Sequence, residues 1–153
     1  MSETFKLEIT IKTPKSTSGE SEETRGSVWF DDQELEKISI MSGETRKLEH
    51  NIEVDDGDHS FTVKHLYSAS PTSALVVDQV VMDDINIGVI AYQGVYTPTY
   101  PEPWYTDECT AGRVPQETIG QGNNGSACMY MGWEGDYKLK FNTPLYEWLL
   151  EHL

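Results

Sequence analysis

A chain of 153 residues with 37% apolar and 24% charged content has the size and composition of one globular unit. That length suffices to bury about 70% of the unfolded surface without a metal or a disulfide. Twenty-six Asp and Glu against 11 Lys and Arg leave a net charge of −15. Such a surface repels polyanions, which argues against nucleic acid as a partner, and suits solubility, cation binding or docking onto a basic patch.

The first strand is the clearest. Phe5, Leu7, Ile9 and Ile11 alternate with Thr4, Lys6, Glu8 and Thr10, the period of two that puts one face in a core and the other in water. Residues 13–26 are mostly polar and read as a loop. Short strands are predicted over 26–30 and 35–41, the second with Ile38 and Ile40 on one side, before a turn at Ser42 and Gly43. Leu48, His50, Ile52 and Val54 then alternate with Lys47, Glu49, Asn51 and Glu53. Asp56 and Gly57 read as a hairpin turn into the following strand, on which His59, Phe61, Val63 and His65 share a face. A β-branched run over 75–82 leads to Asp83 and Asp84, and the sheet is expected to extend over 84–92.

After Tyr92 the chain changes character. Pro98, Pro101 and Pro103 cannot donate to a ladder, so residues 97–104 read as extended, partly polyproline II. Residues 106–126 are rich in Gly, Asn and Thr, and a long loop region is expected over about 93–128. Strand character returns over 129–133 and again where Tyr137, Leu139 and Phe141 alternate with Lys138 and Lys140. A short helix closes the sequence, with Asn142 or Thr143 as cap, Pro144 in the first turn, and Leu145, Trp148 and Leu149 as its apolar stripe. Many short strands, turn signals between them and no strand–helix alternation predict an all-β antiparallel sandwich with a short C-terminal helix, residues 1–153 forming a single domain.

Three sets of residues carry candidate chemistry. Strand alternation places Asp78 and Asp84 on one side and Asp83 on the other. These carboxylates are either solvated charges or, if the 56–57 turn lies near Asp83, a calcium site drawing on Asp56, Asp58, Asp83 and Asp84. Calcium takes roughly six to eight oxygens, and no full calcium-loop spacing is present. A facing acid–base pair, as in a glycosidase, is the third reading. His59 and His65 read as half-buried, hydrogen-bonded histidines, since no Cys or His stands at matching depth to complete a zinc site. Tyr92, Tyr96, Tyr100, Trp104 and Tyr105 form the best binding candidate, because flat rings anchor interfaces and stack on sugars, and the prolines stiffen their loop. They either pack back over a sheet edge, contact another protein or bind glycan.

Other signals are weak. There is no Gly-x-Ser-x-Gly elbow and no phosphate-cradling loop, so a non-catalytic protein is expected. Asn124-Gly125-Ser126 fits a glycosylation sequon that matters only in a secreted eukaryotic protein. Cys109 and Cys128 are reduced thiols, partners in a bridge closing a loop of about 20 residues and worth about 3 kcal/mol, or an intermolecular link. No run approaches the roughly 20 apolar residues of a membrane span, and the N-terminus lacks the apolar core of a signal peptide, so folding in the cytosol is expected.

Two resemblances add to this reading. Gly57-x-His59-x-Phe61-x-Val63, followed by Val80-Val81-Met82-Asp83-Asp84-Ile85, resembles small calcium-dependent carbohydrate-binding sandwiches of the xylan-binding type, over about a quarter of the chain. That resemblance implies a jelly-roll or carbohydrate-binding-module-like sandwich, calcium as a structural ion and a glycan ligand. The family's metal-binding carboxylates lie in the loop before the second strand, which here, from Tyr67 to Ala74, holds no acid. The C-terminal third, through Tyr100-Pro-Glu-Pro-Trp104, Gly132-Trp-Glu-Gly135 and Leu139-x-Phe141-x-x-Pro144-Leu-Tyr-x-Trp148, looks like small proteins of tailed, particularly marine, bacteriophages. This second resemblance implies a virion component that decorates a capsid, neck or tail by docking onto other structural proteins, assembled in the host cytoplasm. Tyr96, Tyr100, Trp104, Tyr105 and Trp148 are its expected contact residues. Host glycan as partner is the alternative, homo-oligomerisation is left open, and neither nucleic acid nor membrane is expected.

Overall fold

The computed structural model describes residues 2–13, 22–68, 74–87, 90–91, 94–98, 107, 110–111, 118–119, 129–131 and 134–152. The strands in chain order are β1 (Ser2–Lys12), β2 (Glu23–Phe30), β3 (Gln33–Met41), β4 (Thr45–Asp55), β5 (Gly57–Ser68), β6 (Leu75–Met82), β7 (Ile85–Asn86), β8 (Val95–Pro98), β9 (Thr118–Ile119), β10 (Met129–Met131) and β11 (Gly135–Thr143), followed by the helix α1 (Leu145–His152). They form an antiparallel β-sandwich. Among the described residues one sheet has five strands in the order β10-β6-β1-β4, with β7 also on β6, and the other has six in the order β3-β2-β5-β11-β8-β9.

The alternation seen in the sequence lines one core. Phe5, Leu7, Ile9 and Ile11 from β1, with Leu48, Ile52 and Val54 from β4 and Val80 and Met82 from β6, face Val28, Ile38, Ile40, Phe61, Val63, Tyr137, Leu139 and Phe141 from the other sheet. Each buried side chain of this kind contributes about 1.5–3 kcal/mol. The helix lays Leu145, Trp148 and Leu149 on the same core, the stripe expected from the sequence. Trp148 meets Phe141 edge-on at 5.8 Å. The cap is not local, however. Glu3 on β1 accepts the first helical N–H, from Leu145, at 2.8 Å, which places a carboxylate at the positive end of the helix.

Four expectations need correction. Asp56 and Gly57 do not turn a hairpin: β4 pairs with β1, while β5 pairs with β2 and β11, so this corner carries the chain from one sheet to the other. The Thr143 hydroxyl holds the corner, donating to the Asp55 carbonyl at 2.8 Å and accepting the Gly57 N–H at 3.1 Å. Thr143 is thus committed to the corner rather than to the helix. Strand β2 starts at Glu23, inside the stretch read as loop. The expected strand over 84–92 reduces, among described residues, to β7. Finally, strand parity fails at Asp78, where the β1–β6 register skips one residue. Asp83 and Asp84 lie beyond the strand, with φ of 52° and 67°, and make a two-residue turn that joins Met82 to Ile85. Positive φ at both central positions matches the right-handed strand twist, and Asp tolerates it better than most residues.

Candidate functional site

The two outer faces of the sandwich differ sharply in charge chemistry. On the five-stranded sheet, Lys6 and Lys47 each reach Glu8 at 3.1 Å and also lie near Glu49, and Lys12 meets Asp78 at 2.9 Å. Hydrogen bonds from Lys6 and then Lys47 hold the Glu8 carboxyl below the usual carboxylate range, and those same bonds raise both ammonium groups. This face is electrostatically closed on itself.

The outer face of the six-stranded sheet is open. Because β2, β5 and β11 are adjacent and in register, Trp29, Thr62 and Lys138 stand in one row across three strands, and Ser60 and Lys140 in the next. Two neighbouring hollows run over this face. One, of about 490 Å³, is lined by Asp31, Asp58, His59, Ser60, Lys138, Lys140, Phe141, Asn142 and Trp148. The other, of about 330 Å³, is lined by Trp29, Asp31, Asp32, Thr62, Lys64, Asp136 and Lys138. Asp31 and Lys138 belong to both, so the two hollows adjoin along one groove-like tract of this face. The larger hollow falls within the range of small-ligand sites.

Local structure fixes the groove's furniture. The Trp29 indole N–H donates to the Ser27 hydroxyl at 2.8 Å, which pins the ring orientation, and Lys64 Nζ lies 4.6 Å from the ring centre. Gly26 allows β2 and β5 to pair this closely: a Cβ there would sit 2.4 Å from the Lys64 carbonyl oxygen. Asp31, at the β2–β3 turn with φ of 51°, accepts the Ser60 N–H at 2.9 Å on one oxygen and bonds His59 Nδ1 at 2.8 Å on the other. His59 Nε2 lies 2.7 Å from the Asp55 carbonyl. Both ring nitrogens thus face groups that only accept, and the imidazolium alone satisfies both. Burial lowers the His59 pKa, but the hydrogen bonds to Asp31 and Asp55 outweigh it and the net shift is upward. His59 also stacks on Phe30 at 5.5 Å.

The residues expected from the sequence fare differently. Tyr96 is 4% exposed and Trp148 3% exposed, so both are core side chains rather than a contact surface; Trp148 reaches the groove only as part of its floor. Tyr96 sits inward because its strand pairs with β11, opposite the buried Tyr137. Tyr100, Trp104 and Tyr105, along with Tyr92, Cys109 and Cys128, lie outside the described residues. His59 and His65 are hydrogen-bonded as read, His65 through Nδ1 to the Met131 carbonyl at 3.1 Å.

The four carboxylates proposed for calcium do not form one coordination sphere. The Asp83 N–H bonds the Lys6 carbonyl, whereas Asp55, next to Asp56, pairs with Ser2. Four residues along β1 separate these points by about 13 Å, far beyond a shared ion. Asp83 also accepts a hydrogen bond from the Tyr146 hydroxyl. Among the described residues no group of three or more His, Cys, Asp or Glu is placed to hold a metal.

The sequence reading missed Trp29, Lys64, Lys138 and Lys140 as a group. The polar half of the β11 alternation, Lys138 and Lys140, reads in the sequence as a strand's wet face, and the structure extends it to Asp136 and Asn142. Its alignment with Trp29 depends on the β2-β5-β11 order, which no local pattern encodes.

No known family model matches the sequence, and no curated protein matches it at a significant level. Among solved structures the chain is similar to the selenomethionine form of vCBM60, described in work on circular permutation as a link between two families of calcium-dependent carbohydrate-binding modules. The TM-score is 0.50 and the identity 8%, over 88% of this chain and 89% of that one. At that identity the likeness establishes the β-sandwich fold and nothing finer. The resemblance to tailed-phage proteins gains no support from these comparisons.

Proposed function

We propose that this chain is a carbohydrate-binding β-sandwich whose ligand lies along the outer face of the six-stranded sheet. The observation that carries this reading is the groove itself: one oriented indole, hydroxyls from Ser60 and Thr62, and a mixed set of Lys and Asp side chains on rigid strands. A sugar presents an apolar ring face bordered by hydroxyls that both donate and accept. An aromatic face with donors and acceptors beside it is the matching surface. The strands hold the backbone in place and a hydrogen bond already orients Trp29, so the ordering cost of binding falls mainly on the lysine side chains. Similarity in fold to a carbohydrate-binding module supports the reading at the level of architecture. No contact in this reading is routed through a metal ion.

Affinity gel electrophoresis against a panel of soluble polysaccharides tests it. The wild-type chain should be retarded by at least one of them, and Trp29→Ala should migrate as in a polysaccharide-free gel while keeping its melting temperature within a few degrees. Retardation that is unchanged in Trp29→Ala removes this face from the reading.

A further inference from the structure

The lysines of this groove stand in contrast to those of the opposite face. The chain holds more than twice as many carboxylates as cationic side chains, and the three lysines of the opposite face each take a carboxylate partner. Yet Lys138 and Lys140, exposed on the same side of β11 and about 7 Å apart along the strand, have no carboxylate oxygen within 4.0 Å among the described residues, and neither does Lys64. Like charges placed side by side on one sheet face repel. No nearby carboxylate closes an ion pair with them among the described residues. Asp31 is engaged by His59 and the Ser60 N–H, and Asp58 and Asp136 stand opposite Asn142 and Lys64 in the ladder without closing an ion pair.

We propose that Lys138 and Lys140 bind the carboxylates of a uronate-bearing polysaccharide lying in this groove. The inference rests on the glycan reading above and specifies its chemical class. Each ammonium has a strand-borne hydroxyl opposite it, Thr62 for Lys138 and Ser60 for Lys140, so an ammonium and a hydroxyl converge at two successive positions. A sugar carboxylate accepts from both. Asp32, Asp58 and Asp136, also in the lining, accept hydrogen bonds from sugar hydroxyls, which phosphate and nucleic acid lack in such number. Trp29 stands in the same row as Thr62 and Lys138, and a sugar ring packing on it takes the place of the Lys64 ammonium now 4.6 Å from the ring centre. The groove thus discriminates twice: for a hydroxyl-rich ligand through Trp29 and the carboxylates, and for its negative charge through the lysine pair. The overall charge of −15 opposes such a ligand at long range, but at physiological salt that field decays over about 8 Å, and contact with the two ammonium groups decides binding.

The test is isothermal titration of the full chain with polygalacturonate and with the same polymer fully methyl-esterified, which keeps the ring and removes the charge. The wild type should bind the acid form at least tenfold more tightly, with affinity falling as salt is raised. The Lys138→Gln, Lys140→Gln double variant should keep its melting temperature and lose that preference. Equal binding of both polymers, or a preference that survives in the double variant, overturns the uronate assignment and leaves the glycan reading standing. Binding of neither polymer, with binding of a neutral polysaccharide from the panel, also overturns the uronate assignment alone. No binding to any polysaccharide overturns both.

Discussion

The two outer faces of this sandwich are built from the same alternation and come to opposite ends. On the five-stranded sheet every lysine of β1 and β4 meets a carboxylate, and Glu8 serves two of them at once. On the six-stranded sheet the lysines of β5 and β11 point at a groove instead, one lying over an indole and two with no carboxylate in reach among the described residues. The difference teaches that charge count says little about where charge is available. The acidic excess pairs every lysine of β1 and β4, while on the other sheet it pairs Arg25 and His59 and leaves the groove lysines without an ion pair among the described residues.

Substitutions beneath and on the two faces sharpen the contrast. The largest effect is expected below the groove. Phe141 is 3% exposed and packs against Phe5, Phe30, Phe61 and Trp148, so Phe141→Ala should cost about 3–5 kcal/mol in a urea melt and weaken polysaccharide binding by loosening the floor. A smaller effect that depends on pH should follow Asp31→Asn. His59 has a folded pKa above its unfolded value, so its stabilisation is fully present below the unfolded value, near 6.5, and is lost as pH rises through the folded value. The melting temperature of Asp31→Asn should therefore fall clearly below that of the wild type at pH 5.5, and the gap should narrow by pH 9; a gap that is constant with pH would remove the imidazolium from the account. The smallest effect belongs to the closed face. Glu8→Gln leaves Lys6 and Lys47 with Glu49 alone, and should lower the melting temperature slightly, more at low than at high salt. The wild-type contribution of Glu8 is present above the ordinary carboxylate pKa and fades as pH falls through its depressed value. Polysaccharide binding by Glu8→Gln should match the wild type.

Much of the architecture could be read from residue order. The β1 alternation, the β11 alternation and the Leu145, Trp148, Leu149 stripe are local patterns, and each forms the element it implies. What failed was information held between strands. Asp-Gly turns a hairpin or rounds a sheet-to-sheet corner according to what its flanking strands pair with, and here the Thr143 hydroxyl, far away in sequence, decides for the corner. The skipped residue at Asp78 arises from the β1–β6 register and inverts the parity on which the side assignment of the aspartates rested. Tyr96 and Trp148 looked like contact residues because an aromatic near a proline-rich stretch or on a short helix carries no sign of which side it faces; their burial follows from packing against β11. The groove was the least legible feature, since Trp29 and Lys138 become neighbours only through β5.

The central claim is that ligand lies on the outer face of the six-stranded sheet. Amide and indole chemical-shift mapping tests it directly, by titrating the isotope-labelled chain with a short galacturonate oligomer. The account predicts that the Trp29 indole N–H and the amides of Ser60, Thr62, Lys138 and Lys140 move together and saturate, while those of Lys6, Glu8, Lys47 and Glu49 stay in place. Shifts confined to the five-stranded sheet or to the Asp83–Asp84 turn, with the Trp29 indole unmoved, would contradict it.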